Sequence, residues 1–187
     1  GAILLKPLEK AISDGDPIYG IIKGSSLNHV GKSGGYHVPT PQSQAQVIGE
    51  ALADSGINPR TISYIEAHGT GTALGDPIEF LGLEKAFSPY REEGFSCSIG
   101  SVKSNIGHLE AAAGIAAVTK VLLQMKHKQL VPSLLHSEQL NSKVNFKNSS
   151  FYVQKELSDW NVASESFLRR AGVSSFGAGG ANAHLII

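Results

Sequence analysis

The chain has 187 residues, 41% hydrophobic and 17% charged, with 21 glycines, and its 16 Lys+Arg balance 16 Asp+Glu for a formal net charge of zero. That balance supplies neither a basic stripe for nucleic acid nor an acidic tail, and the length suffices for one substantial core or two small lobes with many tight turns. A single cysteine, Cys97, excludes an internal disulfide framework, no apolar run approaches the roughly 20 residues of a membrane helix, and no secretory signal is visible, so a soluble cytoplasmic domain is expected.

In chain order, Gly1-Ala2-Ile3-Leu4-Leu5 is an apolar, strand-like opening without an initiator methionine, and the end, His184-Leu185-Ile186-Ile187, is apolar too. Natural chain ends are usually polar, so both termini read as cuts through a longer polypeptide. Residues 7–13 predict a short helix closed by the turn run Asp14-Gly15-Asp16-Pro17, and residues 18–27 a β-branched strand. After a Gly/Pro/His loop over 31–41, Thr40 as N-cap and Pro41 at the first helical position start a helix. Its inward face carries Ala45, Ile48 and Leu52, and it ends near Gly56.

Residues 62–67 predict a strand, followed by the loop His68-Gly69-Thr70-Gly71-Thr72. Asp76-Pro77-Ile78-Glu79 has the form of a capping box opening a helix with Ile78, Leu81 and Phe87 inward. Residues 97–102 predict a short buried strand, and 109–126 the longest helix, whose first half is almost entirely Ala and Gly. Such a helix, apolar around most of its circumference, is expected to be surrounded by protein. From Phe151 onward the pattern is of strands, two of them flanking Gly177-Ala178-Gly179-Gly180. Strands alternating with helices predict an α/β domain with a layered sheet.

His68 heads a Gly/Thr-rich loop, and His108 follows Ser104-Asn105-Ile106-Gly107 at the entrance of the Ala-rich helix. With Asn105 as N-cap, His108 falls in the first turn, where the helix dipole keeps the imidazole neutral and able to donate an N–H. Two neutral histidines converging on one carbonyl oxygen would stabilise a developing enolate. Spacing alone is equally met by two packed, hydrogen-bonded histidines. It also leaves open a zinc hydrolase built on His68, His108 and His184 with a carboxylate ligand, although none of the histidines has paired H-x-x-x-H spacing. Gly31-Lys32-Ser33 hints at a phosphate loop, but Ser26 stands where its first glycine is required.

Glu66-Ala67-His68-Gly69-Thr70-Gly71-Thr72 and Val102-Lys103-Ser104-Asn105-Ile106-Gly107-His108-Leu109-Glu110 resemble the two histidine motifs of β-ketoacyl synthase (ketosynthase) domains. Ser174-Ser175-Phe176-Gly177-Ala178-Gly179-Gly180-Ala181-Asn182-Ala183-His184 resembles the glycine-rich loop near their C-terminal end, and the resemblance covers essentially the whole chain. The wording over 71–79 and the Gly-Ala-Gly-Gly loop look like modular polyketide synthases, of the kind served by a separate acyltransferase.

The resemblance implies an α/β, thiolase-like fold with helices on a mixed sheet, residues 1–56 being the end of an N-terminal lobe and a linking segment, and 57–187 the C-terminal lobe. It implies a decarboxylative Claisen condensation between an acyl-cysteine and a malonyl-type thioester. His68 and His108 would hold the extender's thioester oxygen and Lys103 would support them. Thr70 and Thr72 would bind the phosphopantetheine arm of an acyl carrier protein. The backbone N–H of Ala178 would be one donor of the acyl-cysteine oxyanion hole, Gly179 would bind substrate beside it, and no metal or directly bound cofactor is implied. The family's nucleophilic cysteine lies upstream of Gly1, and Cys97 precedes a strand where a nucleophile's elbow is absent. By this resemblance the chain needs the N-terminal half of the same ketosynthase, is inactive and poorly stable alone, and comes from a homodimer. A fatty-acid-type ketoacyl synthase and a non-elongating, carrier-docking ketosynthase are the rival readings.

Overall fold

A computed structural model describes residues 1–31, 38–92, 94–133, 140–162 and 168–187. In chain order these form α1 (Leu8–Asp14), β1 (Gly24–His29), α2 (Pro41–Ser55), β2 (Tyr64–Glu66), α3 (Gly75–Phe87), β3 (Cys97–Gly100), α4 (Lys103–Ile106), α5 (Ala113–His127), β4 (Gln129–Leu130), β5 (Phe151–Val153), β6 (Ser158–Asp159), β7 (Ala171–Phe176) and β8 (Ala181–Ile186). Six strands make one sheet in the order β1-β8-β7-β2-β3-β5. β7, β2, β3 and β5 pair in parallel, while β8 runs antiparallel to both β7 and β1. β4 and β6 form a separate antiparallel pair.

Successive strand residues face opposite sides of a sheet, so β2 sends Ile65 one way and Tyr64 and Glu66 the other. On the Ile65 side, Val47, Ile48, Ala51 and Leu52 of α2 and Phe80, Leu83 and Phe87 of α3 pack with Cys97, Phe151 and Ile186. On the Tyr64 side, Ala117, Val118 and Val121 of α5 pack with Ala171, Val173 and Trp160. The result is helix, mixed sheet, helix. The layered α/β architecture expected from the alternation of elements is present.

Several local expectations hold. Thr40 Oγ1 caps α2 by accepting the Ser43 N–H at 3.3 Å, and Gly56 closes that helix in a left-handed conformation. Others are corrected. Residues 1–7 carry no strand, and the strand expected over 18–27 starts only at Gly24, because its register is set by pairing with β8 (Gly24 opposite Ile186). In α3, Leu81 is 51% exposed while Glu79, Phe80, Leu83, Ala86 and Phe87 turn inward, so the buried stripe is rotated from the expected one. The Ala-rich helix begins at Ala113, equals α2 at 15 residues, and is buried along the side that carries Ala113, Ala117, Val121 and Gln124. Its other side, with Ile115, Ala116 and Leu123, borders an apolar groove shared with Ile106 and Leu109. β1 and α2 belong to the same sheet and core as the later elements. Lys32 and Ser33 of the phosphate-loop decoy lie outside the described residues.

Candidate active site

The topology explains how motifs far apart in sequence meet. β7, β2 and β3 are adjacent and parallel, with Glu66 opposite Val173 on one side and Gly100 on the other. Chain leaving their carboxyl ends therefore enters one region, the edge at which open α/β sheets place ligands. His68 follows β2 by two residues, Lys103 and His108 follow β3, and Phe176 ends β7. The His68 and His108 rings stand 5.3 Å apart, centroid to centroid, at 83°, and the Phe176 ring lies 5.8 Å from His68 on another side.

Two carboxylates, buried Glu79 and half-buried Asp76, hold the backbone of the first histidine loop. Glu79 accepts the N–H groups of His68 (2.7 Å) and Gly69 (2.8 Å). Asp76 accepts from Gly71 N at 3.0 Å. The capping box expected at Asp76 and Glu79 is thus not formed: both carboxylates reach back across the loop, and Thr72 Oγ1 instead accepts from Gly75 N at 2.9 Å at the start of α3. Gly69 has φ +47° and approaches Ser101 so closely that a Cβ would lie 2.7 Å from the serine Cβ. Only glycine joins the two loops at this distance.

On the second loop, α4 occupies Lys103–Ile106, the chain turns at Gly107, and α5 begins five residues after His108. The first-turn placement of His108, and the dipole argument built on it, do not hold: Gly107, at φ +78°, ends α4 ahead of it, and Leu109 with a 3-10 turn over Glu110–Ala112 separates it from α5. His108 Nδ1 instead accepts the Glu110 N–H at 2.9 Å, so a neutral His108 ring carries its proton on Nε2, the exposed nitrogen's role being to donate. The tautomer is fixed by backbone. Glu110 takes φ +48°, a left-handed conformation, to make this contact.

Burial pushes His68 down to about 4, with the charge of nearby Lys103 and then the proximity of His108 adding to the effect, so the His68 ring is neutral near pH 7. Its Nδ1 is buried without a hydrogen-bond partner among the described residues. Burial likewise lowers Lys103, 8% exposed, against the raising influence of Glu79 and Glu66. Glu79 is pushed up to about 7 by burial, opposed by its two amide donors.

Lys103 and His108 line a cavity of about 840 Å³ together with Thr70, Gly71 and Asp76, backed by Phe80 and Phe146. His68 sits beside it, between the rings of His108 and Phe176. Thr70 Oγ1 and Thr72 Oγ1 are 3.3 Å apart, with Thr72 also occupied as the acceptor for Gly75. Ala178 and Gly179 lie exposed at the tip of the β7–β8 hairpin, two and three residues beyond Phe176. His184 is fully buried in β8, 3.0 Å from Ser174 Oγ, and is not part of this group. Among the described residues no cluster of three His, Cys, Asp or Glu could hold a metal ion. Cys97 is buried, and burial raises its thiol far above the ordinary value.

Sequence reasoning missed Glu79 and Phe176 beside the histidines, and Glu66 and Lys120 as a buried ion pair outside the cavity lining. A usable signal existed for two of them. Glu66 interrupts an apolar strand and Lys120 an apolar helix face, and a charge at a core-facing position demands a partner.

A family model described as "Beta-ketoacyl synthase, C-terminal domain" matches residues 19–137, and the chain belongs to that family. Within it, the chain is similar to polyketide synthases. It is 59% identical to polyketide synthase PksL of Bacillus subtilis (strain 168) over 194 residues, all of this chain and 4% of that protein. It is 57% identical to polyketide synthase ThaG of Burkholderia thailandensis over 188 residues, all of this chain and 3% of that protein. The ketosynthase from module 6 of the bacillaene synthase of Bacillus subtilis 168 superposes with a TM-score of 0.91 at 48% identity, covering 97% of this chain and 32% of that one. The oxazolomycin ketosynthase domain OzmH KS7 of Streptomyces albus JA3453 gives 0.91 at 47%, covering 97% and 31%. The chain thus spans about a third of the ketosynthases it matches and a few per cent of the curated synthases.

Proposed function

We propose that this chain supplies the two-histidine, extender-binding side of a polyketide β-ketoacyl synthase. The observation that carries the proposal is the edge-to-face approach of the His68 and His108 rings at 5.3 Å beside a cavity floored by Lys103. In this reading a malonyl-type thioester, delivered on the phosphopantetheine arm of an acyl carrier protein, lies with its carbonyl oxygen between the two rings. Loss of carbon dioxide leaves the carboxylate's bonding pair on the extender as an enolate. N–H donors on His68 and His108 stabilise the oxygen, and the enolate carbon then attacks an acyl-cysteine, expelling the thiolate.

The unmet hydrogen-bonding capacity of His68 Nδ1 supports a site completed by something other than the described residues. In this reading Thr70, at the cavity wall, and Thr72 would bind the polar arm, and Ala178 and Gly179 would border the acyl-cysteine. The cysteine, the carrier protein and the second copy of a homodimer would come from the rest of the assembly, in a cytoplasmic setting. The groove on the open side of α5 offers apolar surface on which the N-terminal half of the ketosynthase would pack. The subtype served by a separate acyltransferase rests on the wording over 71–79 and the Gly-Ala-Gly-Gly loop.

The test uses the complete ketosynthase carrying this chain, with His68→Ala and His108→Ala. Carbon dioxide release from malonyl-carrier thioester is measured separately from acylation of the cysteine. Each substitution should lower decarboxylation about 100- to 1000-fold, the loss typical for one oxyanion donor, and spare acylation. Undiminished decarboxylation would refute the assignment.

A further inference from the structure

On the α5 side of the sheet, directly beneath the second histidine loop, lies a buried polar cluster with no access to the cavity's reacting atoms. Glu66 is fully buried and Lys120 is 8% exposed. Lys120 Nζ lies 2.8 Å from both Glu66 Oε2 and Tyr64 Oη, and the tyrosine hydroxyl donates to Glu66 Oε2 at 2.7 Å. The second carboxylate oxygen is committed elsewhere. Glu66 Oε1 accepts the backbone N–H of Val102 at 2.5 Å. Val102 immediately precedes Lys103, at the point where the chain leaves β3 and turns into α4.

Burying an ion pair contributes little net stability compared with apolar residues of the same volume. A reason for its presence must therefore be sought in what the pair holds. Three of the four bonds described are internal to the cluster, and the fourth ties it to the loop that carries Lys103 and His108. The approach is tight: a Cβ on Gly100 would lie 2.5 Å from Tyr64 Oη, so the end of β3 is shaped around the cluster.

We propose that Glu66, held in place by Lys120 and Tyr64, is a positioning residue that sets where Lys103 and His108 stand relative to His68, through its hydrogen bond to Val102 N. This rests on the proposed role of the two histidines. Glu66 itself begins the run that ends in His68, so one side chain references the second loop to the strand that bears the first. A carboxylate that touches neither substrate nor imidazole thus fixes the distance between them.

The decisive comparison in the complete ketosynthase is between E66Q/K120M and E66L/K120M. Both remove the buried charges together, so neither leaves an uncompensated ion, but only the glutamine retains an oxygen for Val102 N–H. With E66Q/K120M, decarboxylation should stay within a few-fold of the parent. With E66L/K120M, its kcat should fall about 10- to 100-fold, the scale of a misplacement near 1 Å, with KM little changed and cysteine acylation retained. Equal kcat in the two double variants overturns the proposal. Should E66L/K120M fail to fold, E66D serves: it keeps the charge but shortens the reach by one methylene, and parental kcat there would overturn the proposal equally. His68→Ala is run in parallel. If it leaves decarboxylation intact, the underlying functional reading fails; if it abolishes decarboxylation while the double variants match, only the positioning role fails.

Discussion

Replacing Glu79 with glutamine isolates one buried carboxyl whose effect on stability has a predictable sign and pH window. Glu79 is 6% exposed, its ordinary value of 4.5 is pushed up to about 7, and burial is the leading cause. A carboxyl with a higher pKa folded than unfolded binds more protons in the folded state between the two values. Its contribution therefore favours folding below 4.5, declines as pH rises toward 7, and is constant above that. At 1.36 kcal/mol per pKa unit, the decline sums to about 3 kcal/mol. Glu79→Gln cannot titrate, so it escapes this decline, though its amide NH2 must face one of the two loop N–H donors and it starts from a lower stability. Urea unfolding of parent and variant ketosynthase from pH 4 to 8 checks this. The stability of the variant relative to the parent should rise by about 3 kcal/mol across the window, most of it between 4.5 and 7. Parallel curves, or a change confined to pH below 4.5, would show that the loop-clamping carboxyl is charged like any exposed glutamate.

Other outcomes follow from the same geometry. In an NMR titration, His68 should stay neutral down to about 4 and His184 to about 3, so acid destabilisation should set in below the ordinary 6.5 as unfolded histidines gain protons that the fold refuses; protonation of either near 6.5 would contradict their burial. Ala178→Phe, at the hairpin tip beyond Phe176, should narrow the range of acyl chains accepted, read by competing thioesters of different length and branching; an unchanged profile would count against a gating position there. Trp160, 1% exposed and donating Nε1–H to Ser63 Oγ at 2.7 Å, should cost about 3–5 kcal/mol when cut to alanine. Leu81→Lys, on the exposed face of α3, should stay within about 0.5 kcal/mol of the parent by the same unfolding measurement.

Much of the fold was legible because short-range chemistry wrote it. Thr40-Pro41 and Gly56 bound α2 as capping rules require, and the Gly177–Gly180 run separates β7 from β8 as expected. The first two motifs lie at the carboxyl ends of β2 and β3, and the third spans the turn between β7 and β8. Where the pattern misled, a longer-range bond had replaced a local one. Asp76 and Glu79 have the spacing of a cap, yet their carboxylates serve the amides of Gly71, His68 and Gly69. His108 has the spacing of a first-turn residue, yet a 3-10 turn over Glu110–Ala112 lies between it and α5, and Glu110 N fixes the ring.

Residue order by itself therefore determined the family and much of the succession of elements, since those depend on neighbours within a few positions. Tertiary structure alone decided that β7, β2 and β3 lie side by side, that His68 is neutral through burial, with Lys103 and His108 nearby and no helix dipole involved, and that Glu66 reaches Val102. Strand order, burial and the pairing of charges across a sheet arise between residues tens of positions apart. No local spacing encodes them.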